Sequence, residues 1–299
     1  MKRRPVRVLA ALTAAVALAG CSGGAPAAQP EAPALSVDPA LQAMLPQDVR
    51  TAGRLVIATD PSYPPASSYA ADGRTIVGFE PDLGAALGKL LGLEVQFQAA
   101  SFDGLIDAVD AHEFDAVMSA MTHTPERQER VDFVTYFEAG TSIVVQRGNP
   151  YAIHELEGLC GRTVAVEQGT VQVDLLERSS EAHCEGAPIR VETFPTNDDA
   201  LLELRTGRAA AVLNDYPPAV YMTTAEQTRA SYQLVSDMQY EPGFYGMALA
   251  QDRPELRDAL AAALAKLVES GDYAKVLADW KVGSGAVETV TVNGSPITP

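Results

Sequence analysis

At 299 residues, with 47% hydrophobic and 6% aromatic side chains, the chain is long enough for two core-bearing domains. Its 39 acidic against 22 basic residues give a formal charge of −17, which argues against nucleic acid or anionic lipid as a partner of the globular part. The four histidines, His112, His123, His154 and His183, show no metal-ligand spacing, and no P-loop, GxGxxG or Gly-x-Ser-x-Gly is present. Neither a metal nor a cofactor is expected, and enzyme signatures are thin.

The first 20 residues carry Lys2, Arg3, Arg4 and Arg7 ahead of an apolar run from Val8 to Ala19, too short to span a bilayer. This reads as a secretory signal. Leu18-Ala19-Gly20-Cys21 resembles the lipobox of bacterial lipoproteins, which implies cleavage before Cys21 and a lipid on its sulfur. Several acyl chains on one residue would hold the protein at the outer face of the cell membrane. Without residues 1–20 the chain has 18 Lys and Arg against 39 Asp and Glu, a charge of −21. Residues 21–50, rich in Ala, Pro, Gly and Ser near their start, read as a flexible tether. With Cys21 assigned to lipid, Cys160 and Cys184 form an even pair in an oxidising compartment and are expected to be bridged. Two free buried cysteines are the alternative, less suited to the polar stretch around Cys184.

Gly53 to Thr59 is a short apolar run that predicts a buried parallel strand, with a loop at Asp60-Pro61-Ser62-Tyr63-Pro64-Pro65. Asp72-Gly73 predicts a hairpin turn, and Pro81 to Leu91 a helix with leucines on one side. A strand at Glu94–Phe97, a helix at 102–111 and a strand at Phe114–Ser119 follow. Gly161 to Val166 echoes Gly53 to Ala58, and a helix at 198–206 then leads to a strand at Ala209–Leu213. Strands alternating with helices predict an α/β fold of two doubly wound sheets in tandem. Candidate crossings between them lie at 139–150 and 240–247. Two helices, 254–270 and 272–281, come next, and the place of the alternating tail at 287–292 is open.

The stretch from Ala120 to Phe133, Ala-Met-Thr-His-Thr-Pro-Glu-Arg-Gln-Glu-Arg-Val-Asp-Phe, carries the functional reading. An apolar strand ends at Met118, releasing Ser119, Ala120 and Thr122 at a sheet edge. Thr124 and Pro125 then start a helix that holds Arg127 on its first turn. A guanidinium there offers a planar fork that pairs with a carboxylate. The plain alternative is a charged helix surface. With its hydroxyls before the arginine and Val-Asp-Phe after it, the segment resembles that of the amino-acid-binding proteins of bacterial ABC importers, family 3 of the extracellular solute-binding proteins.

The resemblance covers roughly residues 53–282 and implies a two-lobed, type II periplasmic-binding-protein-like fold with a two-strand hinge. It implies a first lobe from 51–139 and 244–283, a second from 140–243 and a tail at 284–299. It also implies a monomer that presents a free L-amino acid, polar or basic, to a permease and its ATPase subunits. In that family pattern Arg127 takes the ligand carboxylate, helped by backbone N–H groups at Thr170 and Val171. Asp215, with Ala120 and Thr122, takes the ammonium. Tyr63 and Phe102 flank the ligand side chain, with Asp60 and Ser119 at the end of its pocket. Ala66 and Val171 depart from the family's usual residues at their positions. Glu80 reads as a helix-start acid rather than a contact. The alternatives are a periplasmic dehydratase of the cyclohexadienyl type, using a buried carboxylic acid to eliminate water, and a ligand-sensing receptor.

Overall fold

The structure, a computed structural model, describes residues 35–297, so the signal segment, Cys21 and residues 21–34 lie outside it. The last part of the expected tether is not a tether. Helices α1 (Pro39–Met44) and α2 (Gln47–Ala52) occupy it, and the Asp38 side chain caps α1 by accepting from the N–H groups of Ala40 and Leu41. Leu41, Leu45 and Val49 recur every four residues and bury one face in the core beside Leu87 and Leu264. That helical period inside a polar, proline-containing stretch is what the compositional reading passed over.

From there the chain runs through β1 (Arg54–Thr59), a small antiparallel sheet of β2 (Ser62–Tyr63), β3 (Ser67–Tyr69) and β4 (Ile76–Val77), and helix α3 (Phe79–Leu91). Strand β5 (Glu94–Ala99), helix α4 (Leu105–Asp110) and strand β6 (Ala116–Val117) follow, then α5 (Pro125–Gln128). β5 and β6 both pair parallel with β1, as alternating strands and helices require. Strand β7 (Val131–Gln146) leaves this half of the molecule for the other.

The second half repeats the plan with β8 (Thr163–Glu167), α6 (Val171–His183), β9 (Arg190–Phe194), α7 (Asn197–Thr206) and β10 (Ala211–Asp215). β8 pairs parallel with both β9 and β10. Helix α8 (Tyr216–Thr224) has no counterpart among the elements read from the sequence. Its prolines sit in the first turn, where a missing N–H costs no helical bond. Strand β11 (Tyr232–Leu234) precedes the return strand β12 (Tyr240–Ala250), which leads to α9 (Pro254–Ser270) and α10 (Asp272–Asp279). In the tail, β13 (Thr291–Val292) pairs with β7 at Val134 and with β14 (Ser295–Pro296), so the tail packs on the first half.

The main path of the sheet is β5-β1-β6-β12-β7-β10-β8-β9. Among the described residues only β7 and β12 are long enough to serve both halves; they pair antiparallel from Thr141 and Tyr240 to Val131 and Ala250, with register shifts near Gly243 and Gly246. Each half has its own core, one around Leu55, Ile57, Leu83 and Leu260, the other around Val164, Val166, Leu176 and Leu213. Separate cores joined by two strands let the halves rotate as units, because bending two strands disturbs neither core. Cys160 and Cys184 are bridged, tying α6 back to the turn before β8 across 24 residues. On chain-entropy grounds that cross-link contributes roughly 3 kcal/mol. Among the described residues no helix is long and apolar enough to cross a membrane.

Candidate functional site

Parallel strands place their carboxyl ends on one edge of a sheet, and there the two halves face each other. In the first half β1 is followed by Asp60, whose N–H donates to Ser119 Oγ at 2.9 Å while its Oδ1 accepts from Ser62 N–H at 2.9 Å. Just past β6, Ala120 takes a positive φ of 47° and donates its N–H to Glu80 Oε1 at 2.6 Å. Thr124 caps α5 as expected, accepting from the Arg127 N–H. Arg127 is half-buried and bridges the halves: Nη1 donates to Thr122 O at 2.7 Å and Nη2 to Gly169 O at 2.9 Å. Its guanidinium also lies over the Phe102 ring, 5.5 Å from the centroid.

The second half presents the start of α6 and the end of β10. Thr170 and Val171 open α6, where the first amides of a helix have no internal acceptor. Asp215 is held from three sides. Gln172 Nε2 and Tyr245 Oη each donate to its carboxylate at 2.7 Å, and its own N–H donates to Tyr63 Oη at 2.8 Å. Burial raises the Asp215 carboxyl to about 6, against the opposing pull of those donors and of the Arg127 charge. Further bonds span the cleft: Asn197 to Ser62, and Gln168 Nε2 to Asp103 Oδ2 at 2.6 Å.

All ten residues singled out from sequence, Asp60, Tyr63, Phe102, Ser119, Ala120, Thr122, Arg127, Thr170, Val171 and Asp215, line one cavity. Two more line it that sequence reasoning missed, Glu167 and Gln172. Glu167 ends the apolar strand Thr-Val-Ala-Val-Glu, and an acid at the cleft end of a buried strand was the available signal. Ala66 is not part of the lining. It is buried beneath α3, where its carbonyl accepts the Glu80 N–H, so its small size does not widen the cavity. His123 stacks on Phe133 and bonds Gln128 Oε1 at 2.6 Å, a structural role. Among the described residues no group of acids, histidines or cysteines is arranged to hold a metal.

Three buried carboxyls and one guanidinium meet here. Burial raises Asp60, opposed by its bonds at Ser62 and Phe102. Glu167 is pushed up to about 9, first by burial and then by Asp60, Asp198 and Asp215. The consequence for stability has a definite sign. Between its ordinary 4.5 and about 9, the unfolded chain has released a Glu167 proton that the folded chain retains, so stability falls as pH rises through that window. The ligand-free protein is expected to melt at a lower temperature at pH 9 than at pH 5. A melting temperature that climbs across this interval would remove the buried acids from the account.

The pattern of the bacterial extracellular solute-binding proteins, family 3, matches residues 55–283. The chain is 32% identical over 262 residues to the arginine-binding protein ArgT of Corynebacterium glutamicum, covering 87% of this chain and 84% of that protein. It is 30% identical over 220 residues to the ABC transporter arginine-binding protein 1 of Escherichia coli, covering 73% and 87%. Among solved structures, an ancestral arginine-binding protein bound to arginine superposes with a TM-score of 0.70 at 32% identity, covering 76% of this chain and 98% of that one. The ancestral amino acid-binding protein AncCDT-1, a precursor of cyclohexadienyl dehydratase, gives 0.68 at 32%, covering 78% and 97%. The two-lobed type II architecture is therefore shared with structures of known binding proteins. With its family pattern spanning both halves of the sheet, the chain belongs to the bacterial extracellular solute-binding proteins of family 3.

Proposed function

We propose that the protein is the receptor of an ABC importer and captures an L-amino acid with a cationic side chain, arginine foremost. The observation that carries this is the charge inventory of the cavity: one guanidinium, Arg127, against Asp60, Glu167 and Asp215. A free amino acid brings one carboxylate and one ammonium. Arg127 and the amides at Thr170 and Val171 take the first, and Asp215 with Ala120 O and Thr122 takes the second. Asp60 and Glu167 are then surplus acids, and a buried carboxyl ionises at least cost where a cation meets it. A positive side chain laid between Tyr63 and Phe102 supplies that cation. The arginine-binding relatives support the same ligand class.

Because the contacts come from both halves, 51–139 with 244–283 and 140–243, the ligand favours the closed arrangement by as much as it prefers that state. The permease then reads closure. Cys21 anchors the monomer to the cell membrane through lipid, outside the cytoplasm, with residues 22–34 as the remaining spacer. The test is calorimetric titration of the chain from Ser22 onward, unfolded and refolded to strip ligand, against the common L-amino acids. Tight one-to-one binding of arginine, with lysine, ornithine or histidine weaker, is expected. Binding confined to neutral amino acids would overturn the cationic class, and turnover of prephenate or arogenate would favour the dehydratase.

A further inference from the structure

Glu167 is the one wall of the cavity whose electrostatics do not close. The residue is 6% exposed, and Oε1 has no hydrogen-bond partner among the described residues. The groups that face it are acids from three other elements: Asp60 after β1, Asp198 on the first turn of α7 and Asp215 at the end of β10. The Tyr63 hydroxyl is also near enough to feel its charge. The cation of the site, Arg127, is committed elsewhere, to the carbonyls of Thr122 and Gly169 and the face of Phe102. A carboxylate in such surroundings has two ways to become neutral: bind a proton, or meet a cation from the ligand.

We propose that Glu167 exchanges its proton for the side-chain charge of the ligand, so that pH sets the choice between a cationic amino acid and a neutral one of the same shape. This rests on the amino-acid-receptor reading above. With no cation in the cavity Glu167 is a carboxylic acid, and its O–H can donate to a neutral urea or amide. When a guanidinium or ammonium enters, the O–H bond breaks, the proton leaves to solvent, and the carboxylate pairs with the ligand. The position of the group, about 9 in the ligand-free protein, makes the exchange run across the neutral range. Asp215 does not confound the comparison, since it faces the α-ammonium that both kinds of ligand carry.

L-Arginine and L-citrulline, equal in length and differing in one charge, are the probes. Between pH 6 and 8.5 the arginine-to-citrulline affinity ratio of the wild-type chain is expected to rise, at the limit about tenfold per pH unit for one proton released. Titrations in two buffers of different ionisation enthalpy should count that proton directly at neutral pH. In Glu167→Gln the ratio should fall and lose its dependence on pH. A wild-type ratio that is flat with pH, or a variant that keeps the wild-type ratio and slope, would overturn the proposal. Should the variant fold poorly, the excess of protons released by arginine over citrulline decides, measured in the wild-type chain and in Asp60→Asn; loss of that excess in Asp60→Asn would assign the proton to Asp60 and overturn the proposal. Arginine binding without proton release sinks the exchange and leaves the receptor standing; binding of no amino acid removes both.

Discussion

Arg127→Ala is expected to lower the affinity for a cationic amino acid by at least about a hundredfold while leaving the fold in place. Among the described residues this guanidinium is the only cationic side chain lining the cavity, and removing one partner of a buried ion pair typically costs about 3–5 kcal/mol because the other charge is left uncompensated. The scaffold does not need it in the same way. Arg127 is half-buried, its bonds are to two carbonyls that other donors or water can serve, and α5 keeps its cap through Thr124. Arg127→Lys should be nearly as damaging, since an ammonium cannot offer the parallel pair of N–H groups that a carboxylate accepts. Titration and ligand-dependent shifts in melting temperature measure the loss, with far-ultraviolet circular dichroism as the check on folding. An affinity within about threefold of wild type would displace Arg127 from the carboxylate role.

The difference between what the sequence disclosed and what it hid follows from the range of the interactions. Arg127 was legible because its setting is local: a strand end, a Thr-Pro helix start and a guanidinium within ten residues. The parallel strands were legible from their short apolar runs for the same reason. The family resemblance points to Asp215, but nothing near it in the chain reveals that Tyr63, 152 residues away, and Tyr245 clamp it. Glu167 lies one residue past the apolar run that ends at Val166, and nothing near it in the chain shows that Asp60, Asp198 and Asp215 surround it in the fold. The helices at 39–52 were hidden by composition: a proline-containing polar stretch outweighed the four-residue period of Leu41, Leu45 and Val49.

Glu80 is the sharpest case, and it yields the other large expected effect. At the start of α3 it looks like an acid placed for the helix dipole, yet it is fully buried and accepts from Ser67 Oγ at 2.7 Å, from Ala120 N–H at 2.6 Å and from the Tyr136 hydroxyl. Those partners lie 13, 40 and 56 residues away, so the helix start supplies the position and the tertiary fold supplies the purpose. Its bond to Ala120 fixes a residue at positive φ in the cavity wall, which makes Glu80 a support for the site rather than a ligand contact. Glu80→Ala leaves three buried donors without an acceptor and opens a void, and is expected to destabilise the protein by about 3–5 kcal/mol, read as a lower denaturation midpoint. Glu80→Gln keeps the volume and one acceptor and should cost less. The order matters more than either value: if Glu80→Gln changes affinity strongly while both variants unfold at the wild-type midpoint, Glu80 is a ligand contact and the supporting role is wrong.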